Sequence, residues 1–370
     1  MTPTGGRDST PSAISDREQR ILGIIETARS KPGRFRDERV TMAHGAGGKA
    51  TQTMIEGLFV PAFGAGLAPL ADAALVGVGG EEIALTTDAF VVRPLRFPGG
   101  SIGELAVNGT VNDLAVAGAR PLALSVALVL EEGLEAAALR SEVDAMAAAA
   151  EAAGVRIVAG DTKVVERGHA DGMYVCTTGI GRRDPRAALA PDAIRPGDRI
   201  LVSGSVGEHG TAIMLARGEL GLESSVESDT RPLWPAVDAV LQAGGAEVRC
   251  LRDATRGGVA SVLNELARAS GVAMVVREGD VPVLPEVAGA AELLGIDPMY
   301  VANEGTMVVF VAPTAAPGVL AALRSTPGGA RAAEIGEVRT EPPGMVLVET
   351  AFGGRRVMDQ LVGDPLPRIC

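Results

Sequence analysis

Short apolar runs bounded by glycine, proline and charged residues recur along the chain, and they alternate with stretches whose apolar positions return every three or four residues. The first kind predicts buried strands and the second amphipathic helices, because side chains repeat with period 2 in a strand and about 3.6 in a helix. In the first half, strands are expected at residues 83–87, 122–130, 155–159 and 173–180, with helices at 101–117 and 135–153. Asp184-Pro185, Pro191 and the turn Arg195-Pro196-Gly197-Asp198 then interrupt the pattern. Beyond that break, strands are expected at 199–203, 272–276, 306–311 and 344–349, and helices at 211–217, 235–242 and 258–269. Mixed elements on both sides predict an α/β (α+β) protein of two lobes, residues 40–185 and 190–362. Residues 1–39 read as a mobile extension with one helical piece at 16–29, and residues 363–370 as a flexible tail. No repeat of fixed period is present, which excludes solenoids and propellers.

Composition narrows the partners. A chain of 370 residues suits about two domains, and 46% hydrophobic with 22% charged residues is ordinary for a folded protein. The 46 acidic residues outnumber the 34 Lys and Arg, for a net charge of -12, which opposes the attraction to phosphate backbones that nucleic-acid binders use. The apolar runs are far shorter than the ~20 residues that span a bilayer, and no apolar signal core opens the chain. A cytoplasmic protein without a nucleic-acid or membrane partner is expected. The three cysteines, Cys176, Cys250 and Cys370, are too scattered for a disulfide framework or a zinc site.

Several stretches carry chemistry-bearing residues. His44-Gly45-Ala46-Gly47-Gly48-Lys49 is a glycine-rich loop whose main chain could approach an anion closely, although it lacks the Walker A spacing and reads equally as a flexible loop. Asp88 and Asp161 each follow an expected strand, the latter leading into Thr162-Lys163; a single acid there is ordinarily a turn former, whereas the pair favours a hard cation such as Mg²⁺. Ser101 to Glu104 has the form of a capping box opening a helix on which Glu104, Asn108 and Asn112 share one face, with Asp113 adjacent. That face is either solvated or, the reading preferred here, turned through Asn112 and Asp113 toward a nucleotide and metal site. Arg252-Asp253-Ala254-Thr255-Arg256-Gly257-Gly258 precedes a helix whose free N–H groups suit phosphate, and Asn303-Glu304-Gly305 stands just before a strand. Pro365-Leu366-Pro367-Arg368-Ile369-Cys370 is stiffened by two prolines and presents a thiol, whose neighbouring carboxylate would disfavour the thiolate and so suit a carrier more than a nucleophile.

From Val40 to Cys370 the chain resembles the HypE family of carbamoyl dehydratases, which serve [NiFe] hydrogenase maturation. The matching segments are His44-Gly45-Ala46-Gly47-Gly48, Thr86-Thr87-Asp88, Phe97-Pro98-Gly99-Gly100, Asn112-Asp113-Leu114-Ala115, Leu130-Glu131-Glu132-Gly133-Leu134, Gly160-Asp161-Thr162-Lys163, Arg252 to Gly258, Ala302-Asn303-Glu304-Gly305 and Pro367-Arg368-Ile369-Cys370. Most are shared with the wider ATP-binding superfamily of aminoimidazole ribonucleotide synthetase, selenophosphate synthetase and thiamine-monophosphate kinase. The ending singles out HypE.

The resemblance implies a homodimer whose N-terminal lobes (residues 40–185) pair their sheets into a barrel with ATP in the groove they form, and C-terminal α/β lobes outside. It implies that a HypF-type carbamoyltransferase loads Cys370, that ATP drives dehydration of the S-carbamoyl group to a thiocyanate, and that cyanide passes to iron on a HypC and HypD complex. On this reading Asp88, Asp113, Asp161 and Asp253 are Mg²⁺ ligands and Gly45, Gly47, Gly48 and Asn112 join the acids in holding ATP. Lys163 stabilises charge, Glu304 is the base and Cys370 the carrier. One rival is an ATP-dependent small-molecule kinase or synthetase of the same superfamily, in which Cys370 would be dispensable; a second is a scaffold protein that only carries a modified thiol between partners and turns over no ATP. Two departures stand out: the extension before Val40 is longer than the family needs, and Thr306 replaces the Lys expected after Asn-Glu-Gly.

Overall fold

The computed structural model describes residues 35–63, 71–218 and 225–361, so the expected helix at 16–29 and the tail with Cys370 lie outside the described residues. Two sheets organise the rest. The first has five strands in the order β1-β2-β7-β5-β6, from β1 (Ala74–Val78), β2 (Glu81–Phe90), β5 (Ala119–Glu131), β6 (Arg156–Val165) and β7 (Met173–Arg183), with a small ribbon β3 (Arg96–Phe97) and β4 (Gly100–Ser101) beside it. All its pairings are antiparallel except β5 with β6, which the helix Ala136–Ala153 connects.

Helices cover one face of this sheet. Met173, Val175, Leu124, Val126 and Phe90 point into a core shared with Leu105, Val107 and Val111 of the helix Ile102–Val116 and Met146 and Ala150 of the helix Ala136–Ala153. The contact is close because of Gly179: a Cβ there would stand 2.8 Å from the Thr110 Cγ2 atom and 3.0 Å from Leu114. Among the described residues no helix covers the opposite face, and Val76, Val78, Leu85, Ile180 and Val158 are exposed.

The second sheet runs β14-β13-β10-β12-β8-β11-β9, built from β8 (Arg199–Val202), β9 (Val248–Asp253), β10 (Ala273–Arg277), β11 (Met307–Val311), β12 (Ala333–Arg339), β13 (Val346–Glu349) and β14 (Arg355–Met358). Its inner strands β8, β10 and β11 are nearly continuous buried apolar runs, whereas β9, β12, β13 and β14 include more exposed or charged positions. On β11, Val308 and Phe310 join the core under the helix Gly258–Ser270, while Met307, Val309 and Val311 join the core under the helices Trp234–Gly244 and Ala316–Arg324.

The helix Ile102–Val116 links the two halves. Thirteen of its 15 residues are buried, because one side meets the first sheet and Ala115 and Val116 enter the core of the second lobe with Leu233 and Val237. The segment holding the glycine-rich loop packs on the second lobe: the Lys49 ammonium donates to Asp359 (3.1 Å) and Arg268 to the Gln52 side chain (2.7 Å). Among the described residues no helix is long and apolar enough to cross a membrane.

Candidate active site

Four acids converge where the central helix passes between the lobes. Asp113 comes from that helix, Asp88 from within β2, Asp253 from the last residue of β9, and Asp72 from the segment just before β1. Carboxylate oxygens of Asp72, Asp113 and Asp253 all lie within 4.8 Å of one another. Asp88 lines the same cleft with Asp113, Asp253, Gly109, Arg256 and Glu304. The Thr86 hydroxyl is 2.7 Å from Asp113 Oδ2, and the Thr110 hydroxyl donates to Asp88 Oδ2 at 3.2 Å. Arg252 holds Asp72 through a 2.8 Å contact.

Such packing of like charges costs free energy. Burial first, then the neighbouring carboxylates, pushes Asp113 and Asp253 well above the usual carboxylate range, and burial raises Asp72 and Asp88 as well. A set made only of carboxylate oxygens fits a hard divalent cation, which would replace proton sharing as the means of relieving the repulsion. Since the folded-state pKa values are raised, their stabilising contribution is complete below the ordinary carboxylate pKa of about 4 and is lost as pH rises through the raised values. The metal-free protein should therefore lose thermal stability as pH rises above the ordinary carboxylate range, and a divalent cation should restore it. In chelator at pH 8, Asp113→Asn should unfold at a temperature a few degrees above the wild type, at roughly 2–4 °C per kcal/mol of repulsion removed. Thermal scans in both conditions check this; an Asp113→Asn protein less stable than wild type in chelator would contradict it.

Glu304 stands at the edge of the cluster and is 3% exposed. Its carboxyl lies over Gly109, and burial, followed by the charges of Asp253, Asp229 and Asp88, holds its pKa well above the ordinary range. A carboxyl raised in this way is better matched to proton transfer near neutral pH than a solvated one. Arg256 opposes the shift and ties the glycine-rich loop to the cleft by donating to the Gly45 carbonyl at 3.2 Å. Gly47 has φ +77°, and a Cβ there would come within 2.9 Å of the Arg256 Cβ, so only glycine fits. Gly48 caps the short helix Lys49–Met54.

Three expectations need correction. Asp88 and Asp161 do not end their strands, since β2 continues to Phe90 and β6 to Val165. Asp161 is also not brought to the cluster. The register pairs Asp161 with Ala127 and Ala127 with Cys176, which in turn faces Ala89, whereas Asp88 pairs with Thr177. Alternation therefore puts Asp161 and Lys163 on the helix-free face and Asp88 on the helix-covered one, three strands apart, about 14 Å at ~4.8 Å per strand. There the Lys163 ammonium donates to Asp161 Oδ2 at 2.7 Å, with both side chains more than two-thirds exposed (69% and 67%), and this bond lowers the Asp161 pKa.

The third correction concerns Asn112. Its amide donates to the carbonyls of Arg231 (3.0 Å) and Glu304 (3.1 Å), and its oxygen accepts from Leu233 N–H (2.7 Å). The polar face of the helix is thus neither solvated nor open to a nucleotide at this residue; it grips the second lobe. Asn108 does likewise, donating to the Thr230 hydroxyl at 3.2 Å. Thr306, at the expected Lys position, is buried and donates its hydroxyl to the Ser205 carbonyl at 3.2 Å, so no ammonium stands beside Glu304 from that residue.

Asp72 and Asp229 were not singled out in the sequence. Asp72 is one acid between two alanines, and its membership of the cluster depends on contacts with residues 41 and 181 positions away. Arg256 lay inside a motif already noted, and its short spacing from Asp253 was the available signal.

Comparison with known proteins agrees with this architecture. Residues 70–183 match the model of the AIR synthase related protein N-terminal domain, and residues 195–348 that of its C-terminal domain. The carbamoyl dehydratase HypE of Rhodobacter capsulatus is 52% identical over 340 residues, covering 91% of this chain and 99% of that protein. A crystal structure of a HypE–HypF complex superposes with a TM-score of 0.79 at 43% identity, covering 83% of this chain and 99% of that one. A crystal structure of the hydrogenase maturation protein HypE in complex with ATP superposes with a TM-score of 0.75 at 43% identity, covering 90% and 100%. With this identity sustained over nine-tenths of its length, and both AIR synthase related domains in order, the chain belongs to the HypE family of carbamoyl dehydratases.

Proposed function

We propose that this protein is the carbamoyl dehydratase of [NiFe] hydrogenase maturation, using ATP to convert an S-carbamoyl group on its own Cys370 to a thiocyanate that donates cyanide to iron. The observation that carries the reading is the largely enclosed carboxylate cluster between the lobes, in a chain 52% identical to a relative of that name.

The chemistry explains the need for ATP. Oxide is a very poor leaving group, so loss of water from a thiocarbamate has a high barrier. If the carbamoyl oxygen attacks the γ-phosphorus, ADP leaves and one N–H proton is lost, and the resulting imidate phosphate can expel inorganic phosphate as the second N–H proton is removed and the carbon–nitrogen triple bond forms. Mg²⁺ held by Asp88, Asp113, Asp253 and Asp72 would supply positive charge to the phosphates. Arg256 would add a cation beside them, and the Gly45 to Gly48 loop that it anchors through the Gly45 carbonyl would offer main-chain N–H groups to phosphate. Glu304 would take the departing proton.

Two copies are proposed to pair through the helix-free face of the first sheet. The exposed Val76, Val78, Leu85 and Ile180 there form the kind of apolar patch that marks an interface. A barrel across the two copies and a division into lobes at residues 40–185 and 190–362 belong to this proposal. Asp161 and Lys163 share that face, so a second copy would bring them into play, Lys163 as charge stabiliser and Asp161 as a further ligand. A HypF-type carbamoyltransferase as loader, a HypC and HypD complex as acceptor, and a cytoplasmic setting complete it.

The test separates binding from chemistry. Glu304→Gln and Lys163→Ala should bind Mg-ATP within about threefold of wild type yet slow dehydration of the carbamoylated protein by roughly 10²-fold or more. Single-turnover assays following loss of water by mass measure this. Normal turnover in both variants would leave these residues without a part in the reaction.

A further inference from the structure

We propose that Asp229 and Asn112 are positioning residues for Glu304, holding its main chain from opposite lobes so that its carboxyl faces the acid cluster; the inference rests on the reading of Glu304 as a participant in the dehydration. One oxygen of the Asp229 carboxylate accepts from Glu304 N–H at 2.9 Å. The other accepts from Gly305 N–H and from the Asn303 amide, both at 3.0 Å. Donors from three successive residues thus converge on one carboxylate. On the far side of the same peptide, the Asn112 amide captures the Glu304 carbonyl at 3.1 Å. Asp229 is 6% exposed and Asn112 1%, so neither bond competes freely with water.

The turn is tied to its own lobe without Asp229. The Asn303 oxygen accepts from Gly207 N–H at 2.9 Å, and its amide also reaches the Ser205 carbonyl at 3.1 Å. Bonds from Asp229 to Glu304 and Gly305 are therefore additional to those that make the turn. They leave little slack, since a Cβ at Gly305 would overlap the Asp229 carbonyl. Asp229 sits in a segment that is itself fastened to the first lobe: Ser228 N–H donates to the Pro98 carbonyl at 2.8 Å, Thr230 receives Asn108, and Leu233 N–H reaches Asn112. The Glu304 carboxyl is consequently referenced to the same helix that carries Asp113. A displacement of about 1 Å at a reacting group is enough to slow a step by roughly 10²-fold.

Asp229→Asn tests this in the full chain. An amide offers one acceptor oxygen where the carboxylate offers two, so in either rotamer Glu304 or Gly305 N–H loses its partner. Turnover of the carbamoylated protein should fall about 10–100-fold while KM for ATP changes less than about threefold. Hydrogen exchange in the peptide spanning residues 301–307 should accelerate. In a Glu304→Gln background, Asp229→Asn should produce no further loss, because both act through one carboxyl. Wild-type turnover in Asp229→Asn beside a stalled Glu304→Gln would overturn the positioning role alone, as would full additivity of the two. Wild-type turnover in Glu304→Gln would instead overturn the reading beneath it. Should Asp229→Asn fail to fold, Asn112→Ser removes the donor on the opposite side; it must slow turnover at unchanged KM, and turnover equal to wild type would refute the proposal.

Discussion

Cys370→Ala is expected to abolish formation of the thiocyanate altogether while leaving the fold and Mg-ATP binding as they are. The described apolar core draws its side chains from residues up to Met358, and the substitution changes none of these. What it removes is the sulfur that would carry the carbamoyl carbon. Cys250 cannot stand in for it: it is buried, and burial pushes its thiol up to about 12, so almost none is thiolate at neutral pH. Cys176 faces the helix-free side of the first sheet, in the middle of β7, where pairing of two copies would cover it. Calorimetry and mass analysis of the variant check the expectation, and persistence of a dehydrated product in Cys370→Ala would remove the carrier.

The second large effect is on nucleotide binding. Asp113→Asn and Asp253→Asn should each weaken Mg-ATP binding by about 100-fold, or ~2.8 kcal/mol, and the pair should leave no measurable affinity. The reasoning is electrostatic. These two acids have the most strongly raised pKa values of the four aspartates, through burial first and then the neighbouring carboxylates, so they gain most from a cation. The same substitutions should stabilise the metal-free protein, the opposed effects on stability and binding that a strained functional cluster produces. Titration calorimetry with Mg-ATP measures the affinity. Wild-type affinity in both variants would place the metal and nucleotide elsewhere.

Much of this arrangement was legible before any coordinates, for reasons that differ by element. The strand at Met307–Val311 could be read because five apolar residues between a turn and an Ala-Pro must be buried on both sides, and they are. Asp113 was legible as an acid on a small, apolar helix, and Asp253 as the acid of a motif that leads through a glycine pair into a helix. Asp161 was misplaced because parity within a strand is local, whereas the register that puts it and Asp88 on opposite faces is set by three strand pairings distant in sequence. Asn112 lay on the face the pattern indicated, but what that face meets depends on how the second lobe docks. Asp72 and Asp229 carry no local signal, and only the fold brings Asp72 within reach of Asp113 and Asp229 to the Glu304 turn.

The central claim is that ATP-driven dehydration takes place on this chain's own Cys370. Its most direct test is the intact mass of the wild-type protein, followed over time after incubation with a HypF-type carbamoyltransferase, carbamoyl phosphate and Mg-ATP. The account predicts a gain of one carbamoyl group followed by loss of one water, with both masses on the peptide that ends in Cys370 and the second step dependent on ATP. A carbamoylated protein that never loses water in the presence of ATP, or a loss of water located on any other peptide, would contradict it.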